Sequence, residues 1–475
     1  MKNNIPFVHL FNVSENHYMF DVNTDSILKI TESTSKKVND LFDKSKHGEV
    51  ENSEDLLKLR ENGYLKSNRV EKTLHPSTKL LPTILRSKIN FLVLQVTQGC
   101  NLRCSYCIYS GLYDTRQHSK KKMSFDTAKK AMDYLITHST DSPDLKVGFY
   151  GGEPLLEFEL IKKCVDYMET MGANKPRVYN ITTNGTCLTS NVMDFFVKHN
   201  FRVTISLDGP ENVHDRSRRF VDSDKGSFRL IKRNLEKFKE RHPQYYSQNV
   251  GFNTVLTSKD SYFEISDYFN SEDVFSNSEF SCNFVSDAQS KDAININDQF
   301  LQEYYYEYFK MLLSKVGRVG EKNVSVIIKQ EFTNIWQTRT GKQNFKREKL
   351  PSISHHAGPC IPGEKSLFVT ADEKLFPCER VSENSEYCSL GSLDSGVDVN
   401  KAEKMLNVET GMEKHCHNCW AYEYCGMCCR FSTSQADITK QIQMRCSGMR
   451  TGVENLFKDY CVLRELGFDF EVNHN

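Results

Sequence analysis

Residues 91–107 read FLVLQVTQGCNLRCSYC, an apolar strand-like run that ends directly in three closely spaced cysteines, Cys100, Cys104 and Cys107. Working outward, FLVLQV is the first of six such runs. KVGFY, RVYNITT, FRVTISL, VGFNTVL and FSCNFV follow, separated by amphipathic helical segments, between about residues 88 and 295. Strand and helix in alternation mean parallel βα units. Six of them with right-handed crossovers give an open, partial (β/α)6 barrel, an α/β fold whose active site lies at the carboxyl ends of the strands. The cysteines and several unusual loops fall at those ends.

The flanks differ in character. Residues 1–80 open with HYMFDVNTDSILKI, two apolar-rich runs around Asn23-Thr24-Asp25 that predict a hairpin, and then two helices. The second has Ser53 as N-cap, Glu54 and Asp55 in its first turn and Gly63 as its stop, and the whole resembles a small winged-helix domain. Residues 296–354 read as a helical bridge. Residues 355–450 are irregular and cysteine-rich, so that metal rather than apolar area must organise them, and 451–475 hold a final helix and tail.

The chain has 475 residues, with 62 basic and 62 acidic side chains. A formal charge of zero gives no global field toward nucleic acid or an anionic membrane. No run of 18 or more apolar residues occurs, and the N-terminus lacks a signal-peptide block, so the expected location is the cytoplasm. There the 16 cysteines read as metal ligands or redox groups rather than disulfides.

Cys100, Cys104 and Cys107 follow a C-x3-C-x2-C spacing that a short loop can wrap around one cubane. Three thiolates leave one iron without a protein ligand, whereas a structural zinc site closes with four. This motif after the first barrel strand, with Tyr106 before its third cysteine, resembles that of the radical S-adenosylmethionine superfamily. The resemblance implies that the open iron chelates the methionine part of S-adenosylmethionine and that a 5'-deoxyadenosyl radical takes a substrate hydrogen. It also implies cofactor contacts from the later loops. Gly151, Gly152 and Glu153 match the GGEP motif, with glycines that allow close backbone approach to a ligand. Thr183-Asn184-Gly185 and Ser206-Leu207-Asp208-Gly209 take the polar rim positions, and Arg218 is a candidate partner for the cofactor carboxylate.

Near the C-terminus, Cys416, Cys419, Cys425 and Cys429 make C-x2-C-x5-C-x3-C, followed by Cys446. This resembles the SPASM extension of radical enzymes that modify peptides. By that resemblance Cys416, Cys419, Cys425 and Cys446 hold one auxiliary 4Fe-4S cluster, and Cys360, Cys378 and Cys429 another, for three clusters in all. Two features depart from the pattern. Glu373 stands where a glycine is usual, and the fourth ligand of the Cys360 cluster is open between Cys388, Cys428 and a substrate thiolate. Glu379, directly after Cys378, matches the acidic base of sulfatase-maturing relatives. Cys164, Cys187, Cys282 and Cys461 read as small apolar residues.

Along VTQGCNLRCSYC, GFYGGEPLLEFELIK, LFPCERV and NCWAYEYC the chain resembles maturases of cysteine-rich peptides, above all the ranthipeptide, freyrasin-type thioether-forming group. That implies a precursor peptide whose leader adds a strand to the N-terminal domain, and a reductant such as flavodoxin or ferredoxin. Carbon-carbon crosslinking, epimerisation and formylglycine formation in a sulfatase are the enzymatic alternatives. A zinc-binding protein that only grips a peptide is the non-enzymatic one.

Overall fold

The computed structural model describes residues 5–43, 47–113, 115–172, 174–276, 278–285, 297–340, 347–431 and 438–470. An antiparallel sheet comes first, β1 (Val8–Val13), β2 (Asn16–Asp21) and β3 (Ser26–Ile30), in the order β1-β2-β3. The expected hairpin is the β2–β3 pair, with Asp21 opposite Ser26, and Asp21 accepts from the Thr24 N–H inside the turn. The sequence reading did not anticipate β1. Helices α1 (Glu32–Asp40) and α2 (Glu54–Glu61) follow. Thr31 caps α1 by accepting from the Thr34 N–H, whereas Ser53 occupies the α2 N-cap position without a capping hydrogen bond.

All six anticipated barrel strands are present: β4 (Phe91–Thr97), β5 (Leu145–Gly151), β6 (Arg177–Thr183), β7 (Arg202–Ser206), β8 (Val250–Leu256) and β9 (Phe280–Phe284). Each pairs in parallel with the next. Burial on both faces explains the continuous apolar runs: Leu92, Leu94 and Val96 are wholly buried, and Val93 nearly so. The connecting helices are α3 (Phe125–His138), α4 (Phe158–Met171), α5 (Ser190–Lys198), α6 (Phe228–Arg241) and α7 (Tyr262–Ser271).

The cysteine-rich region departs from expectation in two ways. It is not organised apart from the barrel, because β10 (Leu367–Val369) pairs in parallel with β4, Leu367 opposite Leu92. Strands β11 (Lys374–Phe376), β12 (Gly391–Ser392) and β13 (Gly396–Val397) continue the same ten-stranded sheet. Apolar area therefore fixes this region as well, since Leu367, Phe368, Val369 and Leu375 are fully buried in the barrel core. In the bridge lie α8 (Asp298–Lys315) and α9 (Lys329–Thr340), and the last helix, α10 (Ile438–Glu465), starts well before residue 451 and carries Cys446.

The N-terminal sheet lays Phe11, Tyr18 and Phe20 against Ala421, Tyr422 and Phe457. The His9 ring stacks on Trp420 with centroids 3.7 Å apart, and Glu465 of α10 accepts from Asn16, Tyr18 and Lys29. Among the described residues no helix is long and apolar enough to cross a membrane.

Candidate active site

Cys100 follows β4 at the mouth of the half barrel. The loop then forms a short strand, Leu102–Cys104, antiparallel to Arg218–Phe220, which sets Cys104 opposite Arg218. Backbone N–H groups of Leu102 and Tyr109 donate to the sulfurs of Cys100 and Cys107 at 3.3 and 3.4 Å, and Asn184 Nδ2 reaches Cys100 Sγ at 3.8 Å. Burial pushes the Cys100 thiol up to about 12 and Cys104 to about 11, and it raises Cys107 too. The charges of Cys104 and Cys107 add to the rise at Cys100, and that of Cys107 to the rise at Cys104. Three buried thiols on one loop, bordered by N–H donors, become favourable thiolates only around a cationic centre, which is the donor chemistry an iron-sulfur cluster needs.

The loops after β5 and β6 are tied to the cysteine loop and to each other. Gly151 and Gly152 make a close approach, but to the cysteine loop: a Cβ on Gly151 would stand 2.0 Å from the Thr97 carbonyl oxygen, and one on Gly152 2.1 Å from that of Gly99. Glu153 is turned into the protein. Its wholly buried carboxylate accepts from the N–H of Leu155 and Asn184 and from Thr183 Oγ1 at 2.7–3.0 Å, so it ties the two loops together. Asn184 also donates to Asn101 Oδ1 at 2.9 Å.

Arg218 and Asp208, read separately as cofactor contacts, face each other. The guanidinium donates to both Asp208 oxygens, at 2.8 and 3.1 Å, and Tyr106 donates its hydroxyl to the same carboxylate. Burial raises the Asp208 carboxyl, but the Arg218 charge outweighs it and leaves the group below its ordinary value. This buried triad fixes the aromatic ring next to Cys107 and brings Arg218 within range of the Cys104 sulfur. Ser206 ends β7, partly buried, opposite Asn253 of β8.

Sequence reasoning missed a polar cluster on the other side of the mouth, since nothing in a sequence marks a charge as buried. Gln95, on β4, donates from Nε2 to the Tyr109 hydroxyl (3.0 Å) and to Glu383 Oε1 (2.6 Å). Gln98 Nε2 reaches the other Glu383 oxygen at 3.3 Å, and Arg116 Nε stands 3.2 Å from Oε1. Glu379 lies partly buried close by, within reach of the charge of Cys378 and of the Tyr150 phenol.

The C-terminal cysteines form two groups. Cys416, Cys419, Cys425 and Cys446 line one cavity of about 560 Å3 together with Met412, Trp420 and the buried His356 and Glu409, whose Nδ1 and Oε2 lie 2.8 Å apart. Burial drives Cys416 to about 12 and Cys425 to about 11. The thiols ring this space without closing on one point, and among the described residues no three His, Cys, Asp or Glu side chains do so. The second group gathers Cys360, Cys378, Cys388, Cys428 and Cys429, each within range of another's charge. Cys388 donates to the Cys429 carbonyl at 3.5 Å. Cys164 and Cys461 are buried as expected, whereas Cys187 and Cys282 are only half-buried.

Comparison with known proteins places this geometry. The model of the radical SAM superfamily matches residues 94–264. Over 199 residues the chain is 27% identical to the radical SAM cyclopropyl synthase TigE of Paramaledivibacter caminithermalis, covering 39% of this chain and 38% of that protein. It is 28% identical over 133 residues to a cysteine-type anaerobic sulfatase-maturating enzyme of Clostridium perfringens, covering 28% and 36%. The chain spans about half the length, or less, of the curated relatives it matches. The structure of native anSMEcpe with bound AdoMet superposes with a TM-score of 0.56 over 78% of this chain and 98% of that one, at 19% identity, and so shares the fold. The strand order, the cysteine loop at the barrel mouth and the superfamily match agree: residues 94–264 of this chain are a radical SAM domain.

Proposed function

We propose that the chain is a radical S-adenosylmethionine enzyme that matures a ribosomally made, cysteine-rich precursor peptide by forming thioether crosslinks. The observation that carries this reading is the pairing of two features in one continuous sheet: the Cys100–Cys104–Cys107 loop at the barrel mouth, and a region of cysteine groups joined to β4 through β10. In this reading Cys100, Cys104 and Cys107 hold the cluster that binds S-adenosylmethionine. Cys416, Cys419, Cys425 and Cys446 hold one auxiliary 4Fe-4S cluster, whose multi-atom bulk suits a cavity of about 560 Å3 better than a single ion does. Cys360, Cys378 and Cys429 hold the other, with Cys388, Cys428 or a substrate thiolate as fourth ligand. Bound at the first site, the cluster and S-adenosylmethionine supply the 5'-deoxyadenosyl radical that takes a substrate hydrogen atom.

The protein's own part is placement. The Glu153 ties and the Tyr106–Asp208–Arg218 triad lock the rim of the cofactor site, Asn184 braces the cysteine loop through Asn101, and Ser206 is left to contact the cofactor. In this reading Glu379 takes the proton of the substrate thiol. The thioether then forms with net loss of two hydrogens: one would pass as an atom to the 5'-deoxyadenosyl radical, and the other would leave as a proton to Glu379 and an electron to the auxiliary clusters, if bound there, and on to an external acceptor. Residues 1–80 would bind the leader, with β3, at the edge of its sheet, available for strand addition. A reductant such as flavodoxin or ferredoxin, and a cytoplasmic setting, complete the proposal.

Anaerobic iron and sulfide analysis, with reductant-driven cleavage of S-adenosylmethionine, tests it against a Cys100, Cys104, Cys107 triple-alanine variant. The intact chain should hold about three cubanes and release 5'-deoxyadenosine, and the variant should keep only auxiliary iron and release none. Full clusters with no 5'-deoxyadenosine from either protein would defeat the proposal. The similarity to a cysteine-type sulfatase-maturating enzyme favours formylglycine formation as the second reading. A product two hydrogens lighter that resists thiol alkylation supports the thioether.

A further inference from the structure

Resting on that reading of the site, we infer that Arg116 and Glu383 are positioning residues whose buried ion pair sets the Cys378–Glu379 turn over the barrel mouth. Arg116 belongs to the loop that follows the Cys100–Cys107 motif, and Glu383 lies just beyond Cys378 and Glu379. Their side chains are 2% and 11% exposed, with Nε 3.2 Å from Oε1. Arg116 Nη2 donates to the Val381 carbonyl at 2.6 Å, so one guanidinium grips both backbone and side chain of the same segment. Its plane lies between the Tyr109 and Phe368 rings, 5.3 and 5.6 Å from their centroids. Gln95 and Gln98, at the carboxyl end of β4, hold the two Glu383 oxygens. The segment is thus held from the strand that leads into Cys100 and from the loop that leaves Cys107.

A stabilising role alone does not account for this arrangement. Replacing a buried ion pair by packed apolar side chains is often neutral or favourable, so charges here contribute chiefly a direction and a register. The register matters because the turn they hold carries a proposed cluster ligand and the proposed base. Misplacing such groups by even 1 Å is enough to cost catalysis about a hundredfold.

The test compares the full chain with Arg116→Met, Arg116→Lys and the double variant Arg116→Met/Glu383→Leu. The double variant removes both charges and so keeps the fold even where Arg116→Met, with a stranded carboxylate, fails. Hydrogen exchange at amides 378–383 should rise about tenfold or more in the double variant and less in Arg116→Lys, with exchange in β4–β8 unchanged. The anaerobically reconstituted double variant should also show a changed magnetic coupling between the cluster of the Cys100 loop and that of the Cys360 group. Unaltered exchange at 378–383 in the double variant would overturn the inference, because β10 and β11 alone would then hold the turn. Absence of iron on the Cys100 loop of the unmodified chain would defeat the proposed function instead, and the exchange result would still decide the role of the pair.

Discussion

At Glu373 the backbone takes φ +64°, a left-handed conformation that favours glycine, which is why a glycine is usual there. This chain keeps a side chain at that position and uses it: the carboxylate accepts from Lys130 Nζ at 2.8 Å and Thr127 Oγ1 at 3.2 Å, linking the β10–β11 turn to α3. The bridge is partly exposed and contributes about 0–1 kcal/mol, while the strained backbone costs about 1 kcal/mol or more. Glu373→Gly should therefore match or slightly exceed the parent in denaturant unfolding, and Glu373→Ala, which keeps the strain and loses the bridge, should fall about 1 kcal/mol below it. The Arg218–Asp208 pair behaves differently because it is buried. Arg218→Met strands a carboxylate beside Tyr106, and a loss of about 3–5 kcal/mol is expected by the same measurement. Part of it should return in the Arg218→Met/Asp208→Asn double variant.

Between elements, the contact of α10 with α8 is pH-sensitive. Asp459 accepts from the Tyr308 hydroxyl at 2.7 Å, and burial, helped by the Glu331 charge, raises its carboxyl from 3.8 to about 6 despite that bond. A carboxyl that is weaker in the folded than in the unfolded chain gives stability that is complete below the unfolded value and lost as pH rises through the folded one. Moving from 3.8 to about 6 corresponds to about 3 kcal/mol, lost across pH 4–7. Asp459→Asn removes this titration, so its stability relative to the parent should climb over that window. A gap that stays flat with pH would show that Asp459 titrates normally. At this scale the sequence was most legible where both strand faces are buried, as in β4 to β8, because continuous apolar runs leave no other reading. It was least legible where the pattern is weak: VHLFNV, which forms β1, mixes His and Asn into a short apolar run, and the polar start of α10 around Gln441–Arg445 shows no apolar period. The cysteine spacings were read from sequence because ligand geometry dictates spacing. The protein partners of Glu153 and Arg218 were not, since burial and partner choice arise only when distant loops meet.

Across the whole molecule, the N-terminal sheet, the cysteine groups and the barrel are joined by packing. His9 stacked on Trp420, the residue after Cys419, places the proposed leader-binding sheet directly on the loop that lines the 560 Å3 cavity. His9→Ala should loosen that seam, read as faster exchange around residues 416–425 with the barrel unaffected. Stripping iron with a chelator under reductant should raise exchange through residues 405–429 while β10 and β11 stay protected, because apolar burial rather than metal holds those strands. One consequence concerns how the chain is made. Leu367 must find Leu92 across a sequence separation of 275 (367 minus 92) before β4 is covered on its outer side. Until then a newly synthesised barrel displays a long, flat, apolar strand edge, the kind of template on which nascent chains stick to one another. The cysteine region therefore seals that edge once it is made, and shortening the chain before residue 367 should raise the fraction recovered in inclusion bodies relative to the full chain.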